Sequence, residues 1–370
     1  MKICLYSPYI PKHFGGGEKY LLDVAEILSH KHQVSIAIPQ AIFADLDIAK
    51  VKRSYQDFFE INLAKVELVA SPIGTTASQT EKLRWTKQFE VFYYLTDGSL
   101  FFSLSGRNIL HIQIPFTDQK SGLMNRLKLR NWVIKNTNSL FTKSVVEKAW
   151  HTKINYVHHP MIEMPWPAEA APLLADKQPI ILSVGRFFTQ LHSKRQDILI
   201  EMFKTLNEQR PRLLKDWQLV LVGGIEDQAY VDRLHQQAQG LPIQFIHDAD
   251  RAQLLKLYRQ APIYWHAAGY QVDEAVHPEK VEHFGISTVE AMASAAAPVV
   301  IGKGGQPEIL GTELKAWSWQ TPEQAIELTK KLLENETLRA QVQTQALKRA
   351  QVFNRSAFSQ TLATMIGAEV

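Results

Sequence analysis

The sequence predicts an α/β protein built from two doubly wound domains, and three observations support this fold class. Short apolar segments typical of strands alternate with helical segments along the chain, as in parallel sheets whose strands are joined by crossover helices. A stretch rich in proline and alanine at 161–178 interrupts this alternation once and indicates a linker. The 370 residues also exceed the ~250–300 residues at which a single core stops growing.

These observations set the domain boundaries. We expect a first domain at 1–160, the linker at 161–178 and a second domain at 179–354. The last residues, about 355–370, have helical character after a break near 353–354. We expect this final helix to pack back on the first domain.

The first domain begins with a βαβ unit. Strands at 2–6 and 34–39 flank a helix at 18–29, in which Tyr20, Val24 and Leu28 recur at helical spacing. The remaining strands of this domain are expected at 67–70, 90–94, 109–114, 139–141 and 155–157.

The alternation restarts after the linker. Strands are expected at 179–184, 218–222, 243–246, 261–266 and 297–301, and helices at 197–207, 228–239, 252–260, 288–294, 322–334 and from 337 onward. Ligands of such sheets bind beyond the carboxyl ends of the strands. With two such domains, the expected site is the cleft between them.

Composition excludes several classes of protein. A formal net charge of +4 is too small to indicate nucleic-acid binding by itself. The single cysteine, Cys4, excludes an intramolecular disulfide and a cysteine zinc cluster. No secretory signal is recognisable, and the longest near-apolar stretch, 291–302, is shorter than the roughly 20 residues that span a bilayer. We expect a cytoplasmic protein, and peripheral contact with the inner face of the plasma membrane stays open.

The first candidate motif is a glycine-rich run, FGGGE at 14–18, between the first strand and the first helix. Glycines at this place let backbone amides approach an anion at the helix start. The run is not a dinucleotide fingerprint, because Tyr20 stands where that motif has its third glycine. A plain tight turn is the alternative interpretation.

The second motif is Gly185-Arg186 at a strand end, with Lys194 eight residues beyond the arginine. A guanidinium and an ammonium group at such a place can clamp a diphosphate. The alternative is a pair of solvated surface charges.

The third motif is the strongest. Glu282 and Glu290 flank a short loop that leads into a helix, whose first amides can hold phosphate oxygens. A glutamate in the first turn can accept hydrogen bonds from a diol such as ribose. The alternative is a capping box, in which Ser287 and Glu290 bond only their own helix start.

The fourth motif is GKGGQPE at 302–308, which follows a strand and brings a flexible glycine pair toward the same edge of the sheet. A simple strand-to-helix turn explains this run nearly as well.

In this order and spacing, the motifs resemble the retaining glycosyltransferase family 4 of the glycosyl transferases group 1, whose fold is GT-B. The resemblance covers nearly the whole chain and is most specific at 180–310. It implies two Rossmann-like domains that face a central cleft. It also implies hexosyl transfer, with retention, from a UDP- or GDP-linked nucleotide diphosphate sugar to a lipid-linked, glycan or small-molecule acceptor. The donor is a co-substrate, and the resemblance implies neither a metal ion nor another cofactor.

Carried over to this chain, the resemblance assigns catalytic roles to Arg186, Lys194, Glu282 and His111. Arg186 and Lys194 would bind the diphosphate and stabilise the leaving group, and Glu282 would contact the hydroxyls of the sugar. His111 would sit near the sugar ring or the acceptor. Without the family, a strand histidine satisfied by its own neighbours is the better interpretation of His111.

Further positions are implied to bind the donor. Glu290 would bind the ribose, the backbone around Gly285 would line the sugar and phosphates, and the first domain's glycines would approach the diphosphate. The base would lie near 246–248. The full set of implied donor-binding residues is Gly16, Gly17, Gly185, Phe284, Gly285, Ile286, Ser287, Glu290, Ile246 and His247.

Two departures from the family pattern stand out. Ser294-Ala295-Ala296-Ala297 replaces the usual glycine before Pro298-Val299, which we interpret as a packing variation. An extra polar loop at 269–281 precedes Glu282. This loop is either a lid or acceptor contact, or a solvated excursion.

The acceptor side carries one unusual segment, 120–153, with eight Lys/Arg and one acidic residue. Interleaved with these charges are the apolar residues Leu123, Met124, Leu127, Trp132 and Val133. The segment is either a basic amphipathic surface for anionic lipid or a solvated helix face whose apolar residues belong to the core.

Functions of other classes also fit this fold. One is a non-catalytic module that binds a sugar nucleotide or a glycan, and another is a sugar-nucleotide epimerase. The retained Arg186, Lys194, Glu282 and Glu290 argue against the binding module, and an epimerase would need acid and base carboxylates placed differently.

Overall fold

The computed structural model describes residues 1–11, 14–118, 120–166 and 169–370. The chain divides into two compact units. The first unit comprises Met1–Met161 and Arg355–Val370, and the second comprises Ile162–Asn354.

The first unit is built on a parallel sheet with the strand order β3-β2-β1-β4-β5-β6-β7. Its strands are β1 (Lys2–Tyr6), β2 (Gln33–Pro39), β3 (Val66–Ser71), β4 (Val91–Leu95), β5 (Arg107–Ile112), β6 (Ile134–Thr137) and β7 (Tyr156–Val157). Its helices are α1 (Gly16–Ser29), α2 (Gln40–Phe43), α3 (Ile48–Phe59), α4 (Gln79–Thr86), α5 (Leu123–Asn131), α6 (Leu140–Trp150) and α15 (Arg355–Ile366).

The second unit has the same architecture, a parallel sheet with the strand order β10-β9-β8-β11-β12-β13. Its strands are β8 (Ile180–Val184), β9 (Gln218–Gly223), β10 (Ile243–His247), β11 (Ile263–His266), β12 (Ala297–Ile301) and β13 (Ser318–Trp319). Its helices are α7 (Ala170–Ala175), α8 (Gln196–Gln209), α9 (Gln228–Gln237), α10 (Arg251–Gln260), α11 (Ile286–Ala293), α12 (Gln306–Leu310), α13 (Pro322–Glu334) and α14 (Glu336–Ala350).

Strands buried on both faces explain why the alternation was readable in the sequence. β4 and β12 are buried along their whole length, as expected when helices cover both sides of a parallel sheet. In each unit the first strand lies inside the sheet, with later strands added on both sides. The strand order therefore reverses beside β1 and beside β8, which creates a switch point at each carboxyl edge.

The expected elements match the observed ones within two residues, with one exception. The strand expected at 139–141 is wrong, because Ser139 is the N-cap of α6 and its hydroxyl accepts a hydrogen bond from the Thr142 amide at 3.0 Å. The strand of this region is β6, which lies just before it.

The stretch expected as a linker contains structure of its own. Helix α7 lies within it, and its Leu173 is buried against Ala295 and Leu347 of the second unit. Most of the stretch is therefore folded onto the second unit, while Pro167, one of the prolines that indicated the linker, lies outside the described residues.

The final helix, α15, packs into the core of the first unit. Phe358 is buried beside the rings of His158, at 4.0 Å, and Tyr20, at 5.6 Å between centroids. Leu362 and Met365 continue the same buried side of the helix. In the part of the chain that the structure describes, no helix is both long and apolar enough to cross a membrane.

We expect Phe358→Ala to lower the free energy of unfolding of the first unit by about 3–5 kcal/mol, because it leaves a cavity between α15 and the sheet. Urea denaturation measures this loss. Gln360→Ala, at an exposed position of the same helix, is the matched control and should change stability by no more than about 0.5 kcal/mol. Equal losses in the two variants would contradict a core role for α15.

Candidate functional site

The carboxyl edge of the second sheet is crowded at its switch point. A Cβ on Gly223, at the end of β9, would lie 2.1 Å from the carbonyl oxygen of Gly185, which follows β8. The Gln196 side chain donates hydrogen bonds to the carbonyl oxygens of Gly185 and Arg186, at 3.1 Å each. The backbone that carries Arg186 is therefore fixed from two sides.

The Arg186 side chain lies at the rim of this edge. It is about half exposed (53%), pairs with Glu226 at 2.5 Å and lies over the Phe188 ring at 4.9 Å. An exposed ion pair contributes only about 0–1 kcal/mol, so Arg186 can exchange Glu226 for a bound anion at little cost.

Lys194 has a different environment. Its side chain is 13% exposed, and its ammonium group contacts the Glu282 carboxylate, which is equally buried. Lys194 and Arg186 are therefore not equivalent surface charges, and the interpretation as two solvated charges does not hold for Lys194.

Glu282 is held by two groups. Its Oε2 accepts hydrogen bonds from the Lys194 ammonium and from Nε2 of His266 at 3.1 Å. Burial alone would raise the pKa of Glu282, but Lys194 and the His266 hydrogen bond keep it well below its ordinary value. The carboxylate is thus ionised at neutral pH and acts as an acceptor rather than an acid.

His266, the last residue of β11, was not among the expected site residues. Its Nδ1 has no hydrogen-bond partner among the described residues, and burial lowers its pKa, so the ring is neutral. His192 and His283 lie nearby with ring centroids 5.3 Å apart, and burial lowers their pKa values to about 3 and about 4. The sequence signal that could have found His266 is its place at the carboxyl end of a predicted strand.

Helix α11 begins without a side-chain cap. Its N-cap is Gly285, whose φ of 118° is in the left-handed region that favours glycine. A Cβ on Gly285 would lie 2.6 Å from Nε2 of Gln306, so this side chain packs against the helix start. Gln306 is fully buried, and neither atom of its amide has a hydrogen-bond partner among the residues described. Gln306, like His266, was not among the site residues expected from the sequence.

The capping-box interpretation of Ser287 and Glu290 is wrong, because α11 starts at Ile286 and Ser287 is already helical. The Ser287 hydroxyl accepts a hydrogen bond from the Tyr264 hydroxyl at 2.8 Å.

Glu290 accepts hydrogen bonds from Arg251 at 3.0 Å and from the Tyr258 hydroxyl at 2.8 Å. Two residues of one neighbouring helix, α10, therefore orient Glu290. Phe284, which precedes the N-cap, is buried in the core of this unit.

The loop at 302–305 packs onto the backbone of Glu282. A Cβ on Gly304 would lie 2.2 Å from the Glu282 carbonyl oxygen, which also accepts a hydrogen bond from the Gly305 amide at 2.8 Å. The polar loop at 269–281 is tied to the same place, because Glu274 accepts from the Gly304 amide at 2.7 Å. The interpretation of the 269–281 loop as fully solvated is therefore wrong for the part around Glu274.

The end of β10 carries Ile246 and His247, both half-buried. The His247 ring packs edge-on against Phe187 at 5.0 Å, and burial and the neighbouring His235 lower its pKa. Neither nitrogen of His247 has a partner among the described side chains and backbone. These residues lie at the same carboxyl edge of the sheet as Gly185.

The first unit places its expected residues differently. The His111 side chain is fully buried, its Nδ1 contacts Oδ1 of Asn136, and its ring stacks on Tyr20 at 3.8 Å. The resemblance implied a position at the sugar or the acceptor, and this placement corrects it. His111 is inside the strand, so its side chain meets α1 rather than the edge of the sheet.

Gln113, just past the end of β5, is the residue that meets the glycine-rich loop. A Cβ on Gly17 would lie 2.7 Å from its Oε1. Gly16 is exposed as the first residue of α1, and the Glu18 carboxylate accepts a hydrogen bond from the Gly15 amide at 2.9 Å. The start of α1 thus already holds a carboxylate.

Residues 167–349 match the family model of the glycosyl transferases group 1. No curated protein sequence is significantly similar.

Solved structures resemble the whole chain. The Anabaena protein HepE in complex with UDP and glucose is 18% identical, with a TM-score of 0.68 and coverage of 99% of each chain. Sucrose-phosphate synthase from Thermosynechococcus elongatus is 16% identical, with a TM-score of 0.66 and coverage of 98% of this chain and 97% of the other. A glycosyltransferase from Rickettsia africae is 14% identical, with a TM-score of 0.68 and coverage of 98% of both. Identities this low show the fold alone, and that fold is GT-B, as expected.

The burial of His111 predicts a loss of stability in acid. Burial lowers its pKa from 6.5 to about 3, so below pH 6.5 the unfolded chain binds a proton that the folded unit does not. The free energy of unfolding should therefore fall by about 1.4 kcal/mol per pH unit for this group as the pH decreases from about 6 to 4.

Urea denaturation of the wild type and of His111→Asn across this range measures the effect, and the variant should show the shallower slope. His151→Asn changes an exposed histidine and serves as the control. A slope that His111→Asn leaves unchanged would show that His111 is protonated in the folded unit.

Proposed function

This chain belongs to the glycosyl transferases group 1 through residues 167–349, and from that membership we propose that it transfers a sugar from a nucleotide diphosphate sugar to an acceptor. The donor is UDP- or GDP-linked, and the acceptor is a lipid-linked, glycan or small-molecule hydroxyl compound. The observation that carries this proposal is Glu282, an ionised carboxylate that Lys194 and His266 hold by one oxygen beside the open start of α11.

The donor's diphosphate would be bound by positive and dipolar groups. The first amides of α11 have no partner within their own helix, and their dipoles favour a phosphate. Arg186 at the rim can turn from Glu226 to the diphosphate. Negative charge that develops on the departing phosphate is stabilised by Arg186 and Lys194, which lowers the barrier to transfer. The proposal needs no metal ion, because these two cations supply the charge.

The sugar and the ribose would be held by carboxylates. Glu282 is ionised and buried, so it suits the role of accepting hydrogen bonds from sugar hydroxyls. Glu290 is oriented by Arg251 and Tyr258 and suits the ribose diol. We propose retention of anomeric configuration from the resemblance of these motifs to the retaining family, in which the leaving phosphate assists deprotonation of the acceptor on the same face of the sugar.

Solved relatives support a nucleotide donor. HepE was solved with UDP, with UDP and glucose, and with UDP-glucose. For this chain, a UDP-linked donor is therefore the first to test.

Calorimetric titration of UDP, GDP and ADP without added metal tests the donor site. We expect one of them to bind clearly, and EDTA to leave that binding unchanged. Glu290→Gln should weaken the binding about tenfold to a hundredfold. The reason is that the nucleotide loses a hydrogen bond to a charged group, which contributes ~1.5–3 kcal/mol.

Glu334→Gln makes the same change at an exposed position and is the matched control. Equal affinity of Glu290→Gln and wild type, with equal thermal midpoints, would leave Glu290 only as a packing partner of Arg251 and Tyr258. No binding of any of the three nucleotides by folded protein would favour a module that binds glycans without catalysis.

We expect Arg186→Ala to lower kcat by about tenfold to a thousandfold, the effect of losing one charge-stabilising group. Its side chain is half exposed, so the fold should be unaffected. Initial rates of nucleotide release from the matching nucleotide sugar measure this, with Arg210→Ala at an exposed position as the control. The anomeric configuration of the product, read by NMR, tests retention. An unchanged kcat would remove Arg186 from the site.

A further inference from the structure

One helix of the first unit exposes apolar side chains along a strip. In α5, Leu123 is 76% exposed, Met124 57% and Leu127 41%. Positions i, i+1 and i+4 lie on neighbouring parts of one helix side, so the three side chains form a continuous surface. Single exposed apolar residues are ordinary in proteins, but three on a helix of nine residues are not.

Cations lie on both sides of this apolar strip. At 3.6 residues per turn, Arg126 and Arg130 lie along one edge and Lys128 along the other. Both arginines are exposed, and the helix sequence LMNRLKLRN contains no acidic residue. We call these six residues the α5 strip: Leu123, Met124, Arg126, Leu127, Lys128 and Arg130.

The fold does not depend on the α5 strip, because the helix is anchored by other residues. Leu129 is buried, and the indole of the buried Trp132 donates to the Phe101 carbonyl oxygen at 2.9 Å. The Asn131 side chain exchanges two hydrogen bonds with the backbone of Ser103, at 2.8 and 2.9 Å. The outward side chains can therefore be changed without removing these anchors.

Only some of the basic residues in the segment 120–153 are available as surface cations. Lys135 is buried, and its ammonium donates to the carbonyl oxygens of Leu129 and Trp132, so it is a structural group. Lys120 pairs with Asp118. Trp132 belongs to the core, whereas Val133 is 57% exposed. The apolar residues of the segment are thus divided between core and surface.

We propose that the α5 strip binds the surface of an anionic lipid bilayer. A helix with an apolar strip between rows of cations lies in the interface, where its apolar side chains enter the acyl boundary and its cations meet lipid phosphates. A nucleic acid or an acidic polysaccharide would use the cations but would leave Leu123 and Leu127 in water. The apolar strip therefore favours a membrane over other polyanions, and the inference does not depend on the proposed reaction.

Flotation of the full chain with vesicles tests this surface. Vesicles of phosphatidylcholine and phosphatidylglycerol in equal parts should bind the protein, and vesicles of phosphatidylcholine alone should bind it at least tenfold more weakly. Arg126→Gln with Arg130→Gln should weaken binding about tenfold to thirtyfold, since each cation near such a surface contributes about 1 kcal/mol. Leu123→Ser with Leu127→Ser should weaken it by at least tenfold at unchanged charge. Salt should weaken the wild type by screening its cations.

Arg210→Gln with Arg212→Gln removes the same charge from the second unit and is the matched control. Far-UV circular dichroism and thermal midpoints confirm that each variant is folded. Binding that survives both α5 variants, or that the control pair reduces equally, would overturn the proposal. Binding that depends on the arginines but not on the leucines, and that heparin shares, would replace the membrane with a soluble polyanion.

Discussion

The site of the second unit depends on one buried ion pair, that between Lys194 and Glu282. Removing two charges from water costs several kcal/mol for each ion, and the pair alone offsets this cost only with excellent geometry and further hydrogen bonds. His266 supplies one such bond to the same carboxylate oxygen. Lys194 comes from the loop before α8 and Glu282 from the loop before α11. The pair therefore joins two loops that are far apart in sequence at the switch point of the sheet.

The surrounding backbone is packed so closely that the pair has little freedom to move. Gly304 lies against the Glu282 carbonyl oxygen, and Gly223 lies against the carbonyl oxygen of Gly185. Any larger residue at these positions would push apart the loops that hold the charges. The crowded backbone and the buried charges thus support each other, because the first fixes the geometry that the second requires.

The sequence predicted the βα alternation well, because strands buried on both faces give unbroken apolar runs. It failed at 139–141, where an apolar pair after a serine begins α6 instead of forming a strand. No bounds were predicted for helices α2 to α7 and α12 or for strands β6 and β13. At the site, charged residues in motifs were found, but His266 and Gln306 were not, because a lone histidine or glutamine has no distinctive spacing. His111 and Gln113 show the same difficulty. The sequence does not give the residue at which β5 ends, and therefore does not tell which of these side chains lies beyond the end of the strand.

The first unit is discontinuous in sequence. Its core includes Phe358, Leu362 and Met365, while residues 162–354 form the second unit. During synthesis the whole second unit leaves the ribosome before α15 does. While nearly two hundred residues are translated, the sheet of the first unit therefore lacks α15, and the apolar surface beside Tyr20 stays uncovered. At roughly 5–20 residues per second this interval is on the order of ten to forty seconds, during which the nascent first unit is a natural client for chaperones.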